Sequence, residues 1–190
     1  EFEIQTKRIC VNAKEINTLK NFDSGLLMLS VGTVLSNEIQ PQLEEFYKTS
    51  KNYEYWNKFI FPASEDARRE KIFKPRAERI IEICKRHNIK NDVIVDVGAG
   101  FGTFCQEIKK LGFFDRVIAV EPTPSLAETC SKRGLEVINK RIEEAKFDYD
   151  VDVITSFEVI EHLFSPRDFI LGCKSVLSKN GIIVITCPNI

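Results

Sequence analysis

Beyond Asn91 the hydrophobic pattern settles into short β-branched runs separated by stretches of helical period. The runs are Val93 to Val97, Val117 to Val120, Glu136 to Ile138, Val151 to Thr155 and Ile182 to Thr186. Alternation of this kind predicts β/α units. Ile182-Ile183-Val184-Ile185 has no polar residue at alternate positions, as expected of a parallel strand covered on both faces. Right-handed crossovers then place helices on each side. The prediction is an α/β fold with a Rossmann-like, doubly wound, mostly parallel sheet.

Residues 1 to about 60 carry no strong period. They have a polar opening, an apolar stretch from Leu26 to Leu35, and an aromatic stretch with Phe46, Tyr47, Tyr53, Tyr55, Trp56, Phe59 and Phe61. Ser64, followed by Glu65 and Asp66, reads as the N-cap of a charged helix running toward Phe73, which Pro75 interrupts or restarts. A second helix follows, with Ala77, Ile80, Ile81 and Cys84 on one face. The expected division is an amino-terminal accessory segment over residues 1–63 and a Rossmann-like domain over 64–190. An open sheet commonly continues past a fifth strand, which leaves open that the carboxyl-terminal part of the domain is missing.

Composition narrows the class. The 190 residues are 43% hydrophobic and 29% charged, with 9 glycines and 7 prolines, enough apolar material for a real core. Lysine and arginine number 27 against 28 acidic residues, a net charge of −1, so no nucleic-acid partner is expected. The longest nearly uncharged apolar stretch, Gly25 to Leu35, is too short for the roughly 20 residues of a spanning helix, and no basic-then-apolar leader opens the sequence. The expectation is a cytoplasmic protein with no membrane partner. Cys10, Cys84, Cys105, Cys130, Cys173 and Cys187 form no Cys-x-x-Cys pair and read as reduced, packed thiols.

The first strand runs into Asp96-Val97-Gly98-Ala99-Gly100-Phe101-Gly102-Thr103, with helical period resuming near Phe104. Gly98 and Gly100 let the backbone bend and approach a ligand, and amides at the helix start face the crevice. The second strand ends at Glu121, twenty-one residues beyond Gly100, where a carboxylate can accept both hydroxyls of a ribose. The glycines alternate, unlike a dinucleotide fingerprint, in which two residues separate the second from the third. NAD is thereby disfavoured. Asp96 is placed to meet an ammonium group, and the chemistry points to an adenosyl compound without phosphates.

Val93 to Gly102, Val117 to Glu121, Ser156 to Leu163 and Gly181 to Asn189 together resemble the class I S-adenosylmethionine-dependent methyltransferases. The resemblance covers about residues 75 to 190. It implies S-adenosyl-L-methionine as cofactor, with Gly98, Ala99 and Gly100 beside the methionine portion and Glu121 on the ribose. By the same resemblance Pro122 and Thr123 border the adenine or ribose, Arg141-Ile142-Glu143 supplies the adenine edge, and Ser156 and Phe157 line the cofactor.

The fourth strand leads into Ser156-Phe157-Glu158-Val159-Ile160-Glu161-His162-Leu163. If residues 158 to 162 form a helical turn, Glu158, Glu161 and His162 share a face and could hold Mg²⁺, Mn²⁺ or Zn²⁺. The string is similar to those of ubiquinone-pathway O-methyltransferases and of small-RNA 2′-hydroxyl methyltransferases, where a metal is implied, and to branches where none is. The favoured alternative has no metal: Glu158 and His162 position the loop and the acceptor while Glu161 is solvated. His162 is the best general-base candidate at the crevice.

Tyr53-Glu54-Tyr55-Trp56, Phe59-Ile60-Phe61-Pro62 and Arg68 to Arg76 look like the segment preceding the core in some bacterial saccharide-associated methyltransferases. The aromatics could roof the crevice, and Arg68, Arg69, Lys71, Lys74 and Arg76 could attract a phosphate-bearing substrate. The commoner role for such residues is a packed face with a solvated opposite side. Together these readings imply methyl transfer to a small acceptor, here a hydroxyl on a sugar or other polar metabolite. The rivals are a non-catalytic adenosyl-ligand binding subunit and an NAD-dependent oxidoreductase. The oligomeric state is not legible.

Overall fold

The structure, a computed structural model, describes residues 55–163 and 165–187. A helical arm comes first: a π-helical turn Trp56–Ile60, α1 Phe61–Arg68, a second π-helical turn Arg69–Phe73, and α2 Lys74–His87. The Rossmann-like part follows as β1 Val93–Val97, α3 Thr103–Lys110, β2 Arg116–Val120, α4 Pro124–Lys132, β3 Glu136–Ile138, β4 Val151–Phe157, α5 Pro166–Val176 and β5 Leu177–Thr186. Two 3₁₀ turns, Ile142–Glu144 and Ile160–His162, join these elements. Among the described residues no helix is long and apolar enough to cross a membrane.

All strand pairs are parallel and the order is β3-β2-β1-β4-β5. The chain reverses its direction of travel across the sheet between β1 and β4, so a crevice forms outside the carboxyl ends of those two strands. Successive side chains leave opposite faces of a strand. Ile94, Val117 and Ala119 join a core with Ala77, Ile80 and Cys84 of α2 and with Phe104, Cys105 and Ile108 of α3. Val93, Val95, Val97, Ile118 and Val120 join Phe169 and Cys173 of α5 on the other side. Every residue of β1 is buried, which is why that run shows no polar alternation.

At the amino end of the sheet a buried carboxylate ties three strands. Asp152 Oδ2 accepts the Asp92 and Val93 amides at 3.1 Å each, and its Oδ1 accepts the Ser178 hydroxyl at 3.4 Å. Here β5 breaks step: Val151 pairs with Leu177 but Val153 pairs with Ile182, leaving Ser178 to Gly181 as an irregular stretch across Asp152.

Several expectations about local structure need correction. Ser64 caps nothing: it lies inside α1, which begins at Phe61, and its hydroxyl donates back to the Ile60 and Phe61 carbonyls. The helix therefore crosses the 63/64 boundary drawn from the sequence. Pro75 restarts the helix, standing in the first turn of α2 where its missing N–H costs nothing. β5 begins at Leu177, ahead of the Ile182 to Thr186 run read from the sequence. Cys84, Cys105, Cys130 and Cys173 are buried free thiols and Cys187 is an exposed one. Burial pushes Cys84 and Cys130 up to about 11, so they stay protonated. Cys10 and the apolar stretch from Leu26 to Leu35 lie outside the described residues.

Candidate active site

The turn after β1 is built on three left-handed glycines, Gly98 (φ 77°), Gly100 (φ 57°) and Gly102 (φ 72°). The Gly98 and Ala99 amides donate to the Val120 carbonyl at 2.8 and 3.3 Å, which locks the turn to the end of β2. A Cβ on Gly98 would stand 2.5 Å from Val159 Cγ2, so Val159 closes one flank of the turn. Above Gly100 the space is open.

Glu121 joins turn and strand. Its Oε2 accepts the Gly100 amide at 2.8 Å and its Oε1 the Thr123 amide at 2.9 Å, while its own carbonyl accepts the Asn139 side-chain amide at 2.7 Å. It is only 4% exposed. Burial raises its pKa, against the pull of the Thr123 and Gly100 amides. Each carboxylate oxygen has two lone pairs, so acceptor capacity remains for a diol.

Asp96 stands one strand away, 4% exposed. Thr155 Oγ1 donates to its Oδ1 at 2.8 Å, and Cys105 Sγ lies 3.7 Å from its Oδ2. Burial pushes its pKa up to about 7; the Thr155 and Cys105 hydrogen bonds oppose this, Glu121 adds to it, and Arg76 pulls it down. Folded Asp96 thus keeps its proton up to about pH 7, whereas the unfolded chain releases it near the ordinary carboxylate value. Stability should fall as pH rises across that window and level off above it. Thermal unfolding from pH 5 to 8 tests this: Asp96→Asn should flatten the slope, and an unchanged slope would discard the assignment.

Glu158, Glu161 and His162 do not converge. Glu158 adopts a left-handed conformation (φ 57°) outside the 3₁₀ turn, and its amide donates to the Thr186 carbonyl at 3.0 Å. Its Oε1 accepts Arg76 Nη2 at 3.1 Å and Thr186 Oγ1 at 2.8 Å. A left-handed glutamate held by three partners cannot continue a helical face. Among the described residues no group of three or more metal-ligating side chains forms. Glu161 is half-buried rather than solvated: its Oε1 lies 3.8 Å from His162 Nε2, and its Oε2 is shut from water without a hydrogen-bond partner. His162 is exposed at the lip of the crevice.

The other predicted residues are spread around this centre. Pro122 is exposed directly after Glu121. Ile142 is buried, while exposed Glu143 shares its turn. Arg141 pairs with Glu144 at 2.9 Å. The Ser156 side chain is turned inward, donating to the Val97 carbonyl at 2.9 Å, and the residue is fully buried. Phe157 packs edge-on against Phe104 with 4.9 Å between centroids.

The arm's basic residues are largely engaged within the protein. Arg69 pairs with Glu65 and Glu107, Lys74 with Glu70, and Arg133, just past the end of α4, grips Glu65. Arg68 lies over the rings of Phe61 and Phe73. Phe61 also meets Phe101 of the glycine turn, 6.1 Å between centroids, which fixes the arm beside the crevice. Arg76 stands apart from the rest of that run: its guanidinium lies 4.7 Å from the Phe157 ring and close enough to Asp96 for its charge to be felt there. No local signal separates Arg76 from the other cations of its run.

Comparison with known proteins identifies this arrangement. A family model described as a methyltransferase domain matches residues 95–185, from β1 through β5. The ubiquinone biosynthesis O-methyltransferase of Rickettsia prowazekii is 33% identical over 163 residues, covering 82% of this chain and 62% of that one. Residues 95–185 thus carry a methyltransferase domain. Two solved methyltransferases share the fold. One is an S-adenosylmethionine-dependent enzyme of Clostridium acetobutylicum, with TM-score 0.57, 18% identity, and coverage of 68% of this chain and 56% of that one. The other is an amino pentose methyltransferase of Micromonospora echinaspora solved with S-adenosylmethionine bound, with TM-score 0.60, 17% identity and the same coverage. The family's cofactor is S-adenosyl-L-methionine. The chain spans about three fifths of the length of its Rickettsia relative.

The turn fits that cofactor. Open space over Gly100 admits a ligand backbone-close, Glu121 retains lone pairs for a ribose diol, and an ammonium beside Asp96 would favour its ionised form opposite the Arg76 guanidinium at the ends of β1 and β4. An amino acid's ammonium and carboxylate need that pairing.

Proposed function

We propose that this chain moves the methyl group of S-adenosylmethionine to a hydroxyl oxygen of a small acceptor. The reading is carried by one observation: the Gly100 amide bound to Glu121 Oε2 at 2.8 Å, which holds glycine turn and ribose carboxylate as one surface. In this reading Asp96 meets the ammonium, Arg76 the carboxylate, Gly98 to Gly100 the methionine chain, Glu121 the ribose, Pro122 and the Arg141-Ile142-Glu143 turn the adenine, and Ser156 and Phe157 the remaining wall. When bound, the cofactor supplies a methyl on positively charged sulfur, and in-line displacement leaves a neutral thioether. As the acceptor oxygen forms its bond to carbon, His162 takes the hydroxyl proton. Glu158, held by Arg76 and Thr186, fixes the loop that carries His162. Alignment and exclusion of water supply much of the rate.

Oxygen as the methylated atom is supported by the name of the Rickettsia relative. Whether the hydroxyl sits on an aromatic ring or on a saccharide is decided by incubating the protein with S-adenosylmethionine and panels of phenols and monosaccharides. Mass spectrometry should then find an acceptor one methylene heavier; a gain by none of them would count against the reading. His162→Ala should lower kcat about 100-fold, the usual worth of a general base, and leave the Kd for S-adenosylhomocysteine unchanged. Full turnover by His162→Ala would discard the base.

A further inference from the structure

The interior of α5 holds a glycine that no turn requires. Gly172 stands between Leu171 and Cys173 in Pro166–Val176, where glycine weakens a helix relative to alanine. The reason is the chain beside it. A Cβ at Gly172 would lie 3.2 Å from both the N and the Cα of Glu143 and 3.3 Å from its Cγ. The turn Ile142–Glu144 therefore rests on bare helix backbone, with Ile142 packed into the same core as Phe169 and Cys173. Glu143 is close enough to act electrostatically on Cys173, whose thiol burial and that carboxylate push up to about 12.

We propose that Gly172 is a positioning residue that sets the depth at which the Glu143 turn meets the nucleobase, and with it the preference for adenine over other purines. This rests on the adenosyl reading above. Adenine offers an amino donor at its six-position; hypoxanthine offers an oxygen acceptor there and repels a carboxylate. Discrimination then depends on where Glu143 stands, because a hydrogen bond weakens steeply once distance and angle are lost. A methyl at Gly172 must displace something by a few tenths of an ångström. α5 is held by buried Phe169 and Cys173 and by the Ser165 hydroxyl, which accepts the Asp168 amide at 3.3 Å. The short turn bearing exposed Glu143 is the part that moves.

Calorimetry with S-adenosylhomocysteine and S-inosylhomocysteine tests this on the wild type, Gly172→Ala, and Leu171→Ala as an exposed control on the same helix. The wild type should prefer the adenosyl compound at least about tenfold. Gly172→Ala should erase most of that preference, chiefly through weaker adenosyl binding, and Leu171→Ala should keep it. A Gly172→Ala ratio equal to that of the wild type, or a wild type that binds both equally, overturns the inference and leaves the adenosyl reading standing. A wild type that binds neither removes the adenosyl reading itself. If Gly172→Ala fails to fold, hydrogen exchange on the wild type decides. S-adenosylhomocysteine should protect residues 141–145 together with α5, and S-inosylhomocysteine should protect them less. Protection confined to 98–102 and 121–123 overturns it.

Discussion

Replacing Glu121 with alanine is expected to weaken S-adenosylhomocysteine binding by about 100-fold or more. A ribose diol on a buried carboxylate makes two charge-assisted hydrogen bonds, each worth about 1.5–3 kcal/mol, and tenfold in affinity is about 1.4 kcal/mol. The substitution does more than delete those bonds. It leaves the Gly100 and Thr123 amides without the oxygens that accept them, so the glycine turn loses the partner that sets its distance from β2. Glu121→Gln retains one acceptor oxygen and should fall between the two. Calorimetry on the three proteins gives the order directly, and equal affinity for wild type and Glu121→Ala would take Glu121 out of the site.

The second large effect is expected at Gly98. Alanine there meets two costs: a left-handed conformation at φ 77°, and a Cβ placed 2.5 Å from Val159 Cγ2. Strain of this kind costs about 1–3 kcal/mol and overpacking about 1–3 more. The obstructing atom ends a side chain on the loop leading to Ile160–His162, so the energy should be relieved by moving that loop and with it His162. Gly98→Ala should therefore lower kcat more than it lowers the melting temperature. Gly98→Ala combined with Val159→Ala should recover part of the activity, because the second change removes the obstruction and leaves only the backbone strain. A double variant no better than the single one would show that Val159 is not what the new methyl strikes.

The sheet was legible because its strands carry short β-branched runs, which burial on both faces, complete in β1, favours. β1 and β3 keep the bounds read from the sequence. The arm was harder to read because two π-helical turns, Trp56–Ile60 and Arg69–Phe73, break its 3.6-residue period. A pattern shifted in phase twice within twenty residues looks patternless. Ser64 misled because serine is a good cap and also tolerable within a helix when its hydroxyl bonds back to the preceding turn.

In the site, Gly98, Gly100, Glu121 and Asp96 carried local signatures, each at the end of a strand. Glu158 did not. Spacing of three and four residues implies a shared face only where the backbone is helical, and the Thr186 carbonyl and hydroxyl and Arg76, from elsewhere in the chain, hold Glu158 out of that conformation. Arg76 acquires its place through the fold alone, twenty-two residues before Gly98.

The Asp152 carboxylate sits at the far end of the sheet from the crevice, fastening the starts of β1 and β5 to β4. Strand alignment is thus pinned at the end that meets no ligand. Loops at the opposite rim are then at liberty to change length and sign of charge without letting the strands slip, so a new acceptor can be accommodated there while the foundation stays put.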